Sequence, residues 1–218
     1  MKPVARVLVI TASAASCVVA LTGCTRHVDT PTPKPADIAA PISQLQVVDL
    51  LSPNVSGQDG NLFVTAEPDR CGGLAQEVDP PFLDMHRPLA TDGGHWTTSD
   101  GATYIEEMVA VYRFDFDPSS ALDTVRRAIQ TCRETALTVT TMRGRTYTFE
   151  VSAAENRGPQ GSVGWSLRAA DWNCDNTFVA AHNAAIEVTA CGAGRGFEVA
   201  ELADDALKRI EALANTTA

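Results

Sequence analysis

Trp172–Cys191, WNCDNTFVAAHNAAIEVTAC, is the stretch from which the rest of the chain is read. Two β-prone runs flank His182-Asn183, residue types that tolerate positive φ and so suit a two-residue hairpin turn. With the turn there, Ala181 faces Ala184 and, counting outward, Cys174 faces Cys191. If Ala181/Ala184 is a hydrogen-bonded pair, alternation makes Cys174/Cys191 a non-hydrogen-bonded one. Such pairs have Cα atoms about 4.5 Å apart, at the short end of what a disulfide accepts. The opposite face of the hairpin carries Val179, Ala181, Ile186, Val188 and Ala190, a ready core face.

The remaining cysteines follow from the N-terminus. Lys2 and Arg6 precede an apolar run from Val7 to Leu21, too short and too Thr/Ser-spotted for a membrane span and patterned as a secretory leader. It ends in Leu21-Thr22-Gly23-Cys24, which looks like a bacterial lipobox: small residues open the backbone to the peptidase, and the Cys24 thiol accepts diacylglycerol. The expectation is a signal peptide over 1–23 and a chain anchored at the extracytoplasmic side of the cell membrane by its acyl chains, each buried CH₂ contributing about 0.8 kcal/mol. Residues 24–41, including TRHVDTPTPKPADIAAP, form a Pro-rich tether with no face to bury. With Cys17 in the leader and Cys24 lipidated, four of the six cysteines remain, an even number that in an exported chain implies two disulfides. By elimination Cys71 pairs with Cys132. On the loop-entropy model the longer closure contributes about 4 kcal/mol and the hairpin closure about 3 kcal/mol.

The formal net charge is -10, and the mature chain is more acidic still once Lys2 and Arg6 are removed. Nucleic acid and anionic lipid surfaces are poor partners for such a surface. Residues 42–218 suffice for one domain with a real core. A helix is expected over Ile42–Leu51, with Ile42, Leu45, Val48 and Leu51 inward, and a short one over Gly73–Val78 that Pro80-Pro81 stops. The stretch onward to Gly94 reads as loop. Thr103–Phe116 is the strongest strand signal, apolar on both faces and therefore central to its sheet. Asp117-Pro118-Ser119 reads as the N-cap and first turn of a helix whose Leu122, Val125, Ile129 and Cys132 form a buried stripe. A hairpin, Leu137–Met142 and Arg145–Ala153, a strand Val163–Asp171 and a C-terminal amphipathic helix Phe197–Ala214 complete the pattern.

The hairpin resembles the extracellular sensor domain of the mycobacterial serine/threonine protein kinase H, a domain also found in mycobacterial lipoproteins. The resemblance runs in order through Leu51-Ser52-Pro53, Cys71, Gly94-His95-Trp96, the strand ending Val109-Ala110-Val111-Tyr112-Arg113-Phe114, and Cys132, covering most of the mature domain. It implies an α+β fold, a highly twisted antiparallel sheet flanked by helices, the same disulfide pairing, and a cleft for an unidentified ligand. This chain departs from the kinase by carrying a lipobox and no kinase domain.

No catalytic constellation stands out. Gly164-Trp165-Ser166-Leu167-Arg168 lacks the second glycine of a nucleophile elbow and sits within an expected strand, so Ser166 is read as structural. His86, His95 and His182 lack metal-binding spacing, and no cofactor or metal is implied. Glu106 and Glu107 interrupt an apolar strand, one facing each side. A buried carboxylate costs several kcal/mol unless paired, so either one reaches an arginine such as Arg113 or Arg168, the preferred reading, or one lines a wet cleft. Tyr104, Tyr112 and Trp165 read as core, whereas Trp96, in a polar loop among Gly, His and Thr, reads as accessible. The ligand-binding residues expected are therefore Trp96, Glu106 and Glu107. The function expected is a non-enzymatic envelope lipoprotein that binds a small molecule or cell-wall fragment. A module docking on another envelope protein is the alternative.

Overall fold

The computed structural model describes residues 40–57, 62–153 and 158–216. The leader, Cys24 and the tether up to residue 39 lie outside the described residues.

Eight strands form one curled antiparallel sheet: β1 Phe63–Glu67, β2 Ala90–Thr97, β3 Thr103–Val111, β4 Ala136–Thr141, β5 Thr146–Ala153, β6 Ser162–Arg168, β7 Asn173–Ala181 and β8 Ala184–Gly192. Their order across the sheet is β1-β4-β5-β6-β7-β8-β3-β2. The β7–β8 register is the one read from the sequence, with Ala181 opposite Ala184 and Cys174 opposite Cys191. The Cys174–Cys191 disulfide has Cα atoms 4.1 Å apart, and Cys71–Cys132 forms the second bond. Only His182 of the turn has positive φ, at 51°. Asn183 instead serves as a clamp: its amide donates to the carbonyls of Ile42 and Tyr112 at 2.8 and 2.9 Å, and its Oδ1 accepts the Ile42 N–H.

Helices cover both faces. The first face packs against α2 (Pro118–Cys132), a 3-10 helix at Asp69–Leu74 and the short α1 (Pro81–Asp84). The second packs against α3 (Val199–Thr216) and a 3-10 helix at Gln44–Leu50. Asp117 caps α2 as expected, accepting the N–H groups of Ser119 and Ser120, and Leu122, Val125, Ile129 and Cys132 are buried beneath it. In α3 the innermost line is Val199, Ala203, Ala206, Ile210 and Ala214, with Leu202 and Leu213 flanking it. Small alanines let this helix lie close to β7 and β8.

Several expectations are corrected. The first helix is 3-10, whose three-residue period aligns 44, 47 and 50 rather than the α-helical stripe. Val47 and Leu50 therefore turn inward, and Leu45 and Val48 are 83% and 53% exposed. The helix expected at Gly73–Val78 lies earlier, at Asp69–Leu74, and passes through Cys71. Pro81 starts a helix rather than stopping one, since a first-turn proline gives up no intrahelical hydrogen bond. The loop expected up to Gly94 contains most of β2. ATDGGHWT carries little alternation because this is an edge strand paired only with β3 among named strands. Trp96, expected to be accessible, is 7% exposed and packs on the second face. β3 ends at Val111, which leaves Phe114 out in solvent.

Candidate functional site

Alternation along β3 sends the adjacent carboxylates to opposite faces. Glu107 points to the second face, where Arg209 of α3 donates to it at 2.6 Å and the Ser52 N–H at 2.5 Å. Arg209 also donates to the Leu50 carbonyl, so one guanidinium joins α3, β3 and the first 3-10 helix. This is a structural ion pair of the expected kind with an unexpected partner, because Arg168 is engaged by Asp175 on the same face. Asp175 also accepts from the Ser166 hydroxyl and the Phe197 N–H. That places Ser166 in a structural network; among the described residues no hydrogen bond joins a histidine side chain to a serine or carboxylate.

Glu106 points to the first face and meets a different environment. It is buried, accepts a 2.9 Å hydrogen bond from the Tyr104 hydroxyl, and has no ion pair among the described residues. Its register partner on β2 is His95, whose ring stacks on Tyr104 with centroids 5.1 Å apart. Two more buried carboxyls share this face. Glu77, on the segment between the Asp69–Leu74 helix and α1, accepts the Phe63 N–H at 2.9 Å. Glu187 of β8 has its Oε2 buried with no partner. Burial pushes Glu77 up to about 8 and Glu106 up to about 8, the latter helped by the charge of Glu77. Glu187 is raised by burial and then by Glu77. None of the three makes an ion pair with a described cation.

Above Glu77 the sheet and its covering segment leave a cavity of about 200 Å³. Its walls come from elements distant in sequence: Phe63 of β1, Tyr104 of β3, Tyr147 of β5 and Trp172 just before β7. Tyr147 and Trp172 are nearly parallel, with ring centroids 6.3 Å apart, and Phe63 tilts against Tyr147 at 6.1 Å. The Cys174–Cys191 disulfide closes one side through Cys191, and Arg145 stands at the rim with its guanidinium 4.8 Å from the Tyr147 ring centre. The segment carrying Glu77 is fixed in turn by Cys71–Cys132 and by the Trp165 indole, which donates to the Leu74 carbonyl at 2.7 Å.

A larger recess of about 440 Å³ lies at the far end of β3, lined by two arginines, two aspartates, His86 and the aromatic pair Tyr112 and Phe116. Its charges are balanced, its two aspartates are exposed to solvent and its two rings are stacked on each other at 4.1 Å; the buried Nε2 of His86 is its one polar atom without a partner among the described residues. The aromatic cavity at Glu77 is the better candidate site. Of the expected residues, Glu106 lies beside this cavity, hydrogen-bonded to its Tyr104 wall; Glu107 and Trp96 are on the other side of the sheet. Glu77, Phe63, Tyr147, Trp172 and Arg145 were not singled out from sequence. Only long-range pairing gathers them. Among the described residues no group of three side chains is arranged to hold a metal ion.

A curled α+β sheet with helices on both faces and two disulfides defines a domain of the oxidising, extracytoplasmic kind. More particularly, the chain belongs to the family of PknH-like extracellular domains, whose model matches residues 46–209. The crystal structure of the extracellular domain of PknH from Mycobacterium tuberculosis is similar with a TM-score of 0.58 and 17% identity, covering 82% of this chain and 99% of that one. At that identity the likeness is one of fold. CalU16 from Micromonospora echinospora, at a TM-score of 0.29 and 10% identity over 58% of this chain and 87% of that one, is too different in shape to carry an argument. No curated protein matches the sequence. Among the described residues, no helix is long and apolar enough to cross a membrane.

Proposed function

We propose that this chain is a lipid-anchored binding domain of the cell envelope, held at Cys24 and spaced from the membrane by its Pro-rich tether, which takes a small ligand in the aromatic cavity above Glu77. The observation that carries the reading is a carboxyl group buried without an ion pair at the wall of a cavity lined by four aromatic rings. Burying such a group costs several kcal/mol, and among the described residues only the Phe63 N–H offsets that cost at Glu77. A cavity of about 200 Å³ is smaller than the ~300 Å³ at which drug-sized pockets begin. The ligand is therefore a small molecule or one group of a larger cell-wall fragment.

The protein isolated from membranes is the material for the test. Native mass spectrometry should show a bound small molecule that Trp172→Ala removes. A protein that co-purifies in its place, indifferent to Trp172→Ala, would favour docking on another envelope protein. An apo mass with no companion would remove the binding reading. The anchor is tested separately: Cys24→Ala should release the chain from the membrane fraction, and continued membrane association would exclude acylation there.

A further inference from the structure

We propose that the cavity takes a cationic group, a protonated or quaternary amine, seated against the Tyr147 and Trp172 rings with Glu77 as its counter-ion. The proposal rests on the binding reading above and names the ligand class.

Aromatic faces attract cations through their quadrupole, by about 0.5–1 kcal/mol where exposed and about 2 where desolvated. The cavity already displays this preference, because the Arg145 guanidinium carbon lies 4.8 Å from the Tyr147 ring centre. Arg145 is held there loosely. Its ion pair with Asp171 spans 3.4 Å, with both side chains more than half exposed, and exposed pairs of that kind contribute little. It can swing into solvent and yield the ring face to a ligand.

The opposite wall supplies a carboxyl that can take up the negative charge. Glu77 is 6% exposed; its Oε2 accepts the Phe63 N–H, and its second oxygen has no hydrogen bond among the described residues. Glu106 and Glu187 lie close enough for the charge of Glu77 to raise both, and the buried Oε2 of Glu187 has no partner. An anionic ligand would meet three carboxyl groups. A neutral ring would satisfy the aromatic walls and leave Glu77 uncompensated. A cation answers both walls at once, and the carboxyls do not form a metal-ligating group. Because burial holds Glu77 up to about 8, the carboxyl is mostly protonated at neutral pH. Binding then releases its proton to solvent as the ammonium takes its place, so affinity rises with pH.

The test is an NMR titration of the full chain in detergent, read on the indole N–H signals. Trp172 reports the cavity, and the buried Trp96 and Trp165 report an intact fold. The probes are choline, n-propylammonium, propionate and 3,3-dimethylbutan-1-ol, the neutral isostere of choline. Choline and n-propylammonium should shift Trp172 at least tenfold more tightly than the alcohol, with affinity rising more than tenfold between pH 6 and pH 8. Glu77→Gln should remove both the discrimination and the pH dependence, and Arg145→Ala should tighten choline binding. The Arg145 variant alters an exposed side chain and stays informative if Glu77→Gln fails to fold. Equal or tighter binding of the alcohol or propionate at Trp172 would overturn the cation proposal and leave the cavity a binding site. Silence at Trp172 with every probe would overturn both.

Discussion

The two faces of the sheet solve the same problem differently, and Glu106 and Glu107 put the contrast in neighbouring residues. On the α3 face, Glu107 and Asp175 are each met by an arginine and by a backbone N–H. On the α2 face, Glu77, Glu106 and Glu187 are buried with no described ion pair, and one oxygen is left with no partner at all. Buried carboxylates that are neutralised hold elements together. Carboxyls left uncompensated beside a cavity keep an interaction in reserve for something that binds. The contrast argues that the α3 face is the scaffold and the α2 face the working side.

The largest expected effect breaks the working side as a unit. Replacing Cys71 and Cys132 together by alanine frees the segment that carries Glu77 and should cost about 4 kcal/mol in denaturant unfolding. It should also remove ligand binding. A cost below about 1 kcal/mol would mean that this segment is held by other means.

On the scaffold side, Arg209→Met strands Glu107 in a buried site and should destabilise by about 3 kcal/mol, with most of the loss recovered in Glu107→Leu/Arg209→Met. If Glu77→Gln destabilises as much as Arg209→Met, the distinction between the faces fails, because the account assigns Glu77 no partner whose loss matters to the fold beyond the Phe63 N–H.

A smaller effect comes from pH. The folded values of Glu77 and Glu106 are raised from 4.5 to about 8. Between those limits the folded protein retains protons that the unfolded chain has released. Stability therefore falls as pH rises through that window and levels off above it. Thermal unfolding between pH 5 and pH 9 should show the decline, and Glu77→Gln should make it shallower. A melting temperature that climbs over the same range would contradict the assignment.

The smallest effect separates sequence from structure. Leu45→Ser should change stability by less than about 0.5 kcal/mol, since the 3-10 geometry turns this residue outward.

What the sequence made legible was local or covalent. The β7–β8 register, both disulfides and the capped α2 follow from turn chemistry, counting and helical periodicity, each a signal carried by adjacent residues. Edge strands β1 and β2 were not legible, because half-buried edges with polar and glycine positions lose the alternation that marks a strand. The cavity was legible only through Glu106, whose charge in an apolar run had to be explained. Glu77 stands in an ordinary polar stretch and acquires its meaning when β1 and β3 close around it. Trp96 misled for a related reason: its polar neighbours belong to an edge strand whose other side is packed.

The most direct test of the account is the titration of the Glu77 side-chain carboxyl, followed by carbon-13 NMR with choline absent and present. The account predicts a midpoint near 8 without choline and a clear fall when choline is added. A midpoint near 4.5, indifferent to choline, would show an ordinary solvated carboxylate and contradict the claim that this face holds a buried carboxyl in reserve for a ligand.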